Sequence, residues 1–514
     1  MNTKVFYMSY QAYFIVTALE MKKIGWEPVY FSISNNSEKS VKEKFPKTIC
    51  HKYYDAIRGI PPKEYLNKNL KEISPDFFSK MSFYEKIAIQ MFDRNDSHVK
   101  NFSYEERKNL FRHLVSFWIT ILEDLSPEFI IFEEEPHQVS DYVVYAICCI
   151  LKIKTIMFIS TKFNQRSYPI SKFEEGSKII QKQYIKSVQE INNDKISLPY
   201  NLDKIISNYR GNNYIDNKKN VDFHASEEVK KILSLENIFD FEKIKPRLNL
   251  IFGNNDLRFH NDQKEKNKSF RESKMKYLSF IYYRQKNIIK KRLLKRYYSQ
   301  IAEKKMNLDR PYIFCSLSYQ PEKTTCPIGD HYNNQILMIK DLLSALPNEW
   351  KLIIKEHPSQ FGNMYSRFGE IYRSKDYYLS IKKLKNVIIA PIDTDIFRLI
   401  DNSKAVASVA ATTGWESVVR GKPTLIFGYA WYRYCHGVFK VGNVAEIKQA
   451  INKIKDGYKI DPRKIDLFAK IVYQNSFEAI VAGENWAKIF GINEKQNGLN
   501  HADSIKQFIN KQGL

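Results

Sequence analysis

Short continuous apolar runs, not strictly alternating ones, mark the strands of this chain. In the first half they fall at 5–8, 28–34, 129–132 and 155–159. Continuous runs fit strands buried on both faces, as in a parallel sheet covered by helices. Residues 11–24 read as a helix that stops at Gly25, so the chain opens β-α-β. A second such unit starts at the 129–132 run, leaves it through Glu133-Glu134-Glu135-Pro136-His137, and continues as a helix over 140–151. Residues 165–260 break the pattern and predict only loops and short helices. Between 273 and 305, Tyr277, Phe280, Ile281, Ile288, Leu294, Tyr297 and Ile301 recur at roughly helical spacing among basic residues. That predicts one or two long basic helices joining the halves.

The second half is more regular. Strands are predicted at 312–318, 350–355, 387–390, 405–409 and 424–427, and helices at 334–346, 365–381, 395–402 and 415–420. Gly421 stands where a helix C-cap glycine belongs. Such alternation predicts an α/β, doubly wound domain. From 465 onward the pattern is helical. The expected divisions are a Rossmann-like domain over 1–262, a basic helical connector over 263–310, a second Rossmann-like domain over 311–464 and a helical tail over 465–514.

Composition narrows the class. A chain of 514 residues, 43% hydrophobic and 14% aromatic, can build two or three packed domains. No apolar run reaches the roughly 18 residues of a membrane span. The opening MNTKVFYMSYQAYF lacks the features of a secretory signal. Cys50, Cys148, Cys149, Cys315, Cys326 and Cys435 show no paired metal spacing, so free thiols are expected. The expectation is a cytoplasmic protein with no metal and no cofactor.

Charge adds a second feature. Lysine and arginine exceed the acids by 81 − 57 = +24, and residues 264–310 alone hold 16 basic and 4 acidic side chains. Such a stretch attracts anionic lipid, nucleic acid or an acidic glycan, or is simply a solvated lysine-rich face. No helix-turn-helix, zinc finger or stacked-aromatic RNA motif accompanies it, so nucleic acid is not the expected partner.

Candidate chemistry collects where ligands of parallel sheets bind, beyond the carboxyl ends of strands. The loops are Tyr319 to Thr325 (with Gln320, Glu322 and Thr325), Lys355-Glu356-His357-Pro358, Ala410 to Glu416 and Gly428 to Tyr432. In Thr412-Thr413-Gly414, two hydroxyls and backbone N–H groups before a short helix can hold one phosphate without a metal; an ordinary N-cap uses the same residues. Glu416, expected in the first helical turn, can accept from ribose hydroxyls or complement the helix dipole. His357 can donate to a phosphate oxygen and stabilise a departing anion. In the first half, Glu133, Glu134, Glu135 and His137 offer a general base for an attacking hydroxyl, and the pattern leaves open which one acts.

The segments CSLSYQPEKTTCPIGDHYNNQ (315–335), IKEHP (354–358) and ATTGWESVVRGKPTLIFGYAWY (411–432) resemble the capsule polysaccharide biosynthesis protein family. The His-Pro pair followed by a hydroxyl pair also looks like bacterial sialyltransferases and 3-deoxy-manno-octulosonate (Kdo) transferases, although those carry Ser-Ser where this chain has Thr-Thr. The resemblance implies a GT-B fold, two Rossmann-like domains facing a cleft, with the donor bound by the C-terminal one and no metal. It implies that His357 contacts the donor phosphate or cytidine, and that Thr412 and Thr413 hold the phosphate. Gly414 and Glu416 would then shape the nucleotide pocket, which Glu322 and Thr325 line. The expected reaction is sugar transfer from a CMP-linked, Kdo- or sialic-acid-like donor to a glycan or lipid-linked acceptor, with the basic stretch touching anionic membrane. A UDP- or GDP-sugar transferase, an epimerase of the same fold and a non-catalytic assembly scaffold are the alternatives.

Overall fold

Two six-stranded sheets carry the chain, and both have the same strand order. In the first, β1 (Thr3–Met8), β2 (Trp26–Ile33), β3 (Ile49–Lys52), β4 (Phe129–Phe132), β5 (Lys154–Ser160) and β6 (Ser167–Ile170) lie in the order β3-β2-β1-β4-β5-β6. In the second, β7 (Tyr312–Ser316), β8 (Lys351–Lys355), β9 (Val387–Ile389), β10 (Ala405–Ser408), β11 (Thr424–Ile426) and β12 (Val438–Lys440) run β12-β11-β10-β7-β8-β9. Read from their own first strands, both are 3-2-1-4-5-6, the doubly wound Rossmann order. All pairings are parallel except β5 with β6. This computed structural model describes residues 2–34, 37–94, 103–163, 165–191, 195–211, 277–362, 372–481, 491 and 493–512, without the side chains of 277–285.

The central strands β4 and β7 are buried at every position, which is why they read as unbroken apolar runs. Three strands escaped the pattern. β3 and β12 are short edge strands with polar residues. β6 lies in the stretch expected to be irregular, and its Pro169 is tolerated because the strand closes the sheet edge. The helix expected over 365–381 is described only as Lys375–Lys382, since 363–371 lie outside the described residues.

The connector and the tail sit differently from the expectation. Within the described part of 263–310, one helix, Tyr277–Ile301, packs into the second unit, where Leu294, Tyr298 and Ala302 share a core with Ile313, Leu352 and Ile389. The Tyr298 hydroxyl donates to the Ala390 carbonyl at 2.7 Å. The basic residues 264–276 lie outside the described residues. The last helix, Glu494–Gln512, crosses back to the first unit, and its Ala502, Ile505 and Phe508 share a core with Tyr13, Phe14 and Ala18. Both ends of the chain therefore build the first unit. The units also meet through aromatic rings: Phe163 lies 5.7 Å from Trp415 and 5.5 Å from Trp431. Among the described residues no helix is long and apolar enough to cross a membrane.

The return helix depends on a close backbone approach. Thr17 Oγ1 donates to the Gly498 carbonyl at 3.0 Å, and a Cβ at 498 would stand 2.5 Å from the Tyr13 carbonyl oxygen and 2.6 Å from Val16 Cβ. Gly498→Val is expected to cost about 1–3 kcal/mol as an overpacked contact. Urea denaturation reads the loss, and limited proteolysis should release the C-terminal helix sooner than in the wild type.

Candidate functional site

In each sheet the strand order reverses direction between two strands, β1 and β4 in the first and β7 and β10 in the second. Ligands of doubly wound sheets sit outside the carboxyl ends at such switch points. In the first unit that place is filled by Ser9 to Tyr13 after β1 and by Glu133 to His137 after β4.

The three glutamates there have three different environments. Glu133 is half-buried and accepts from Ser9 Oγ and from the Tyr13 hydroxyl, each at 3.0 Å. Burial, reinforced by the charge of Glu134, pushes its carboxyl up to about 8 against those two hydrogen bonds. Among the described residues no cation pairs with it. Glu134 and Glu135 share the ammonium of Lys323, which lies 2.8 Å from Glu135 and also contacts Glu134. For Glu134 burial works upward, but Lys323 and His137 outweigh it and hold the carboxyl below its ordinary value. His137 Nδ1 lies 3.5 Å from Glu134, and burial keeps the imidazole below its ordinary value. Glu133 is thus a carboxyl held by two hydroxyl donors, with its proton affinity raised.

Lys323 belongs to the loop after β7, so the carboxyl edges of the two sheets face each other. Arg94 strengthens that junction by donating to the carbonyls of His137 and Cys326. Tyr372 adds a hydrogen bond to Asp93 at 2.5 Å, and Asn333 donates to Gln90.

On the second unit a buried polar scaffold supports the loops. Glu356 accepts from Arg373 Nε at 2.5 Å, from the Tyr378 hydroxyl at 2.8 Å and from the backbone N–H of His357 at 2.8 Å. Arg373 also donates to Gln320 Oε1 at 2.7 Å, and Gln335 donates to the same oxygen at 2.8 Å. Gln320 Nε2 donates to the Asn333 carbonyl at 2.8 Å. Both ends of the Gln320 amide are thus engaged within the protein, and the residue that sequence marked as a donor contact supports the loop. Thr325 is buried and donates to the Glu322 carbonyl at 2.9 Å, closing a turn, while Glu322 itself is exposed.

His357 is exposed at the end of this scaffold, with Pro358 opening a short 3-10 turn behind it. Its Nδ1 accepts from the Ser359 N–H at 3.2 Å, which leaves the proton of the neutral ring on Nε2 as a donor. Lys355, the last residue of β8, is buried, and its carbonyl accepts from the Leu317 N–H at 3.0 Å.

The helix expected to start at Trp415 begins three residues earlier and spans Thr412–Val419, with Ala411 before it and no side-chain cap. Thr412, Thr413 and Gly414 are therefore its first turn, where helix geometry leaves backbone N–H groups short of i−4 partners; that of Gly414 donates to the Ala411 carbonyl at 3.1 Å. Thr413 Oγ1 lies 3.3 Å from Ser316 Oγ at the end of β7, joining the two strands of the switch point. Glu416 consequently sits one turn further in than expected, fully buried beneath the threonines. Gly414 has a packing reason: a Cβ there would stand 2.1 Å from the Tyr432 hydroxyl, which donates to the Ala411 carbonyl at 2.6 Å.

Sequence reasoning missed Ser9, Tyr13, Lys323, Ser316, Gln335, Glu356 and Arg373. Lys323 and Glu356 stood inside the marked loops, and their charge could have found them. Arg373 had no local signal. Among the described residues no group of three or more His, Cys, Asp or Glu could hold a metal ion.

No curated protein matches the chain. Among solved structures, UDP-GlcNAc 2-epimerase from Methanocaldococcus jannaschii, in complex with UDP-GlcNAc and UDP, is similar at 11% identity over 92% of this chain and 100% of that one, with a TM-score of 0.23. The epimerase from Neisseria meningitidis bound to UDP-GlcNAc is similar at 12% identity, over 92% and 99%, with a TM-score of 0.23. Thermosulfurimonas dismutans KpsC, a beta Kdo 2,7 transferase, is similar at 14% identity over 38% of this chain and 56% of that one, with a TM-score of 0.23. The assignment of two facing Rossmann-like units, the GT-B arrangement, rests on strand order and the facing edges, not on these likenesses. Over residues 266–467 the chain matches the family described as capsule polysaccharide biosynthesis protein, the family that the 315–335, 354–358 and 411–432 segments resemble.

Proposed function

We propose that the chain is a glycosyltransferase of surface polysaccharide synthesis, moving a CMP-activated Kdo- or sialic-acid-like sugar onto a glycan or lipid-linked acceptor. One observation carries this reading. An anion-compatible helix start, with His357 after β8 of the same sheet, and Glu133, a carboxyl of raised pKa, occupy facing carboxyl edges of the two sheets. The acceptor hydroxyl gives its proton to Glu133 as its oxygen attacks the anomeric carbon. The bond from that carbon to the phosphate oxygen breaks, and CMP leaves with the electron pair. The Thr412 and Thr413 hydroxyls, the first-turn N–H groups and His357 Nε2–H stabilise the departing phosphate. Donor binding in this reading uses no metal.

The carboxyl of Glu133 must be ionised to accept a proton. With its pKa raised to about 8, kcat/KM should rise with pH and level off above about 8. Glu133→Gln should lower transfer by about 10²–10⁴-fold and remove that limb. A thermal-shift series with CMP, UDP, GDP and ADP on the wild type and on His357→Ala tests the donor side. Stabilisation by CMP, lost in the variant, supports the reading. Stabilisation by UDP alone moves the donor class, and no response to any nucleotide sinks the proposal.

A second part concerns the membrane. On the Tyr277–Ile301 helix, Leu294 and Tyr298 face the core, while Ile289, Arg292, Leu293 and Arg296 are exposed at helical spacing. Ile289 and Leu293 are 55% and 49% exposed, and the helix contains no acidic residue. An apolar pair flanked by arginines fits an anionic lipid surface. Arg292→Gln/Arg296→Gln should weaken binding to phosphatidylglycerol vesicles by about 2 kcal/mol, roughly 30-fold. Cosedimentation as strong on phosphatidylcholine, or unchanged by the substitutions, would remove the membrane from the scheme.

A further inference from the structure

Lys323 is the one described side chain that reaches from the donor-side loops into the carboxylates of the other unit and binds two of them. Its ammonium contacts Glu134 and lies 2.8 Å from Glu135, and its side chain is only 25% exposed. It rides on the loop after β7, whose turn is closed by Thr325 on the Glu322 carbonyl and whose start is tied down through Gln320, Gln335 and Arg373. The loop is thus rigid against its own unit before it meets the other. On the far side the 133–137 segment is equally held, by Ser9 and Tyr13 on Glu133 and by Arg94 on the His137 carbonyl.

Two consequences follow. Glu134 is a neighbour whose negative charge raises the proton affinity of Glu133, and Lys323 partly cancels that charge. The other charged and titratable groups around the ammonium are Glu135, His137 and Arg94. Together with Arg94 on the His137 and Cys326 carbonyls, the same bond holds the loop after β7, whose strand is joined to the Thr412–Val419 helix start through Ser316, against the segment that carries Glu133. A bond of this kind differs from a surface ion pair, because both partners are largely shielded from water and one cation satisfies two carboxylates.

We propose that Lys323 is a positioning residue for transfer: by holding Glu134 and Glu135 from the opposite unit, it registers the donor loops against Glu133. It touches neither sugar nor phosphate in this assignment. The inference rests on the reading of Glu133 as the base. Misplacement of about 1 Å can cost about 100-fold in rate, so the effect should appear in kcat and not in nucleotide affinity.

The test uses the full-length protein with the nucleotide sugar that it turns over. Lys323→Met should lower kcat by about 10–100-fold while the dissociation constant of the bare nucleotide stays within about twofold. Lys323→Arg, which keeps the charge, should restore most of the rate. In the Glu134→Gln/Glu135→Gln background, Lys323→Met should cost little more, because its partners are already neutral. A purely structural role would instead depress melting temperature, nucleotide binding and kcat together, and would overturn the assignment. An unchanged kcat in Lys323→Met, or a loss that adds in full to that of the double variant, overturns it as well. Failure of the wild type to transfer from any nucleotide sugar sinks the proposed function first, and this inference with it.

Discussion

A guanidinium and a carboxylate sealed away from water hold the loops of the second unit together. Arg373 and Glu356 are 1% and 0% exposed as side chains, and an isolated charge at that depth would be prohibitive. The pair is tolerated because its remaining sites are filled. Tyr378 and the His357 N–H serve Glu356, and Gln320 Oε1 and the Ser318 carbonyl serve Arg373. Removing either partner would leave a buried charge uncompensated, a situation worth about 3–5 kcal/mol in comparable interiors. The network reaches the loop after β7 and the loop after β8 at once, so those loops are tied to each other. The place of His357 and the reach of Lys323 both follow from it.

Much of the fold was legible because parallel strands advertise themselves. β4, β7 and β8 are buried at nearly every position, and only unbroken apolar sequence survives there. Edge strands are under less of that pressure: β3 and β12 leave no apolar run, and β6 falls where only loops and short helices are expected, although edge strand β9 is legible at 387–390. The start of the Thr412–Val419 helix was missed for a related reason: two threonines and a glycine are cap-like residues by propensity, yet Gly414 enters the helix because Tyr432 leaves no room for a side chain. The return of the last helix onto the first unit is long-range packing, which periodicity cannot express.

The candidate site was legible as a set of loops and not as a set of roles. The strand-end rule marked the loops after β4, β7 and β10 from sequence alone, while the strand order that makes them switch points, and the loop after β1, came from the fold. It could not separate the side chains that face a ligand from those that hold the loop. Gln320 and Thr325 turn inward, and Glu416 lies beneath the helix start. Roles within the glutamate trio depend on a lysine almost 190 positions away in sequence, and no local reading can assign it. Arg373 is the extreme case. It falls within the helix expected over 365–381, yet only the folded core, where it meets Glu356, shows why the position must be charged.

Electrostatic asymmetry gives the two faces of the cleft different tasks. The second unit offers hydroxyls, N–H groups and an imidazole, all able to donate to a phosphate. The first offers carboxyls, which repel one. Were all three glutamates ionised and unpaired, their field would oppose an anionic donor across the whole cleft. Lys323 neutralises much of that field where the units touch, and burial keeps Glu133 protonated for much of the time near neutral pH. In the proposed reaction a phosphate then meets little repulsion on the second unit, and the fraction of Glu133 that is ionised, the form able to accept a proton, grows as pH rises toward about 8. Its raised proton affinity therefore serves, in that proposed reaction, both the approach of the donor and the removal of the acceptor's proton.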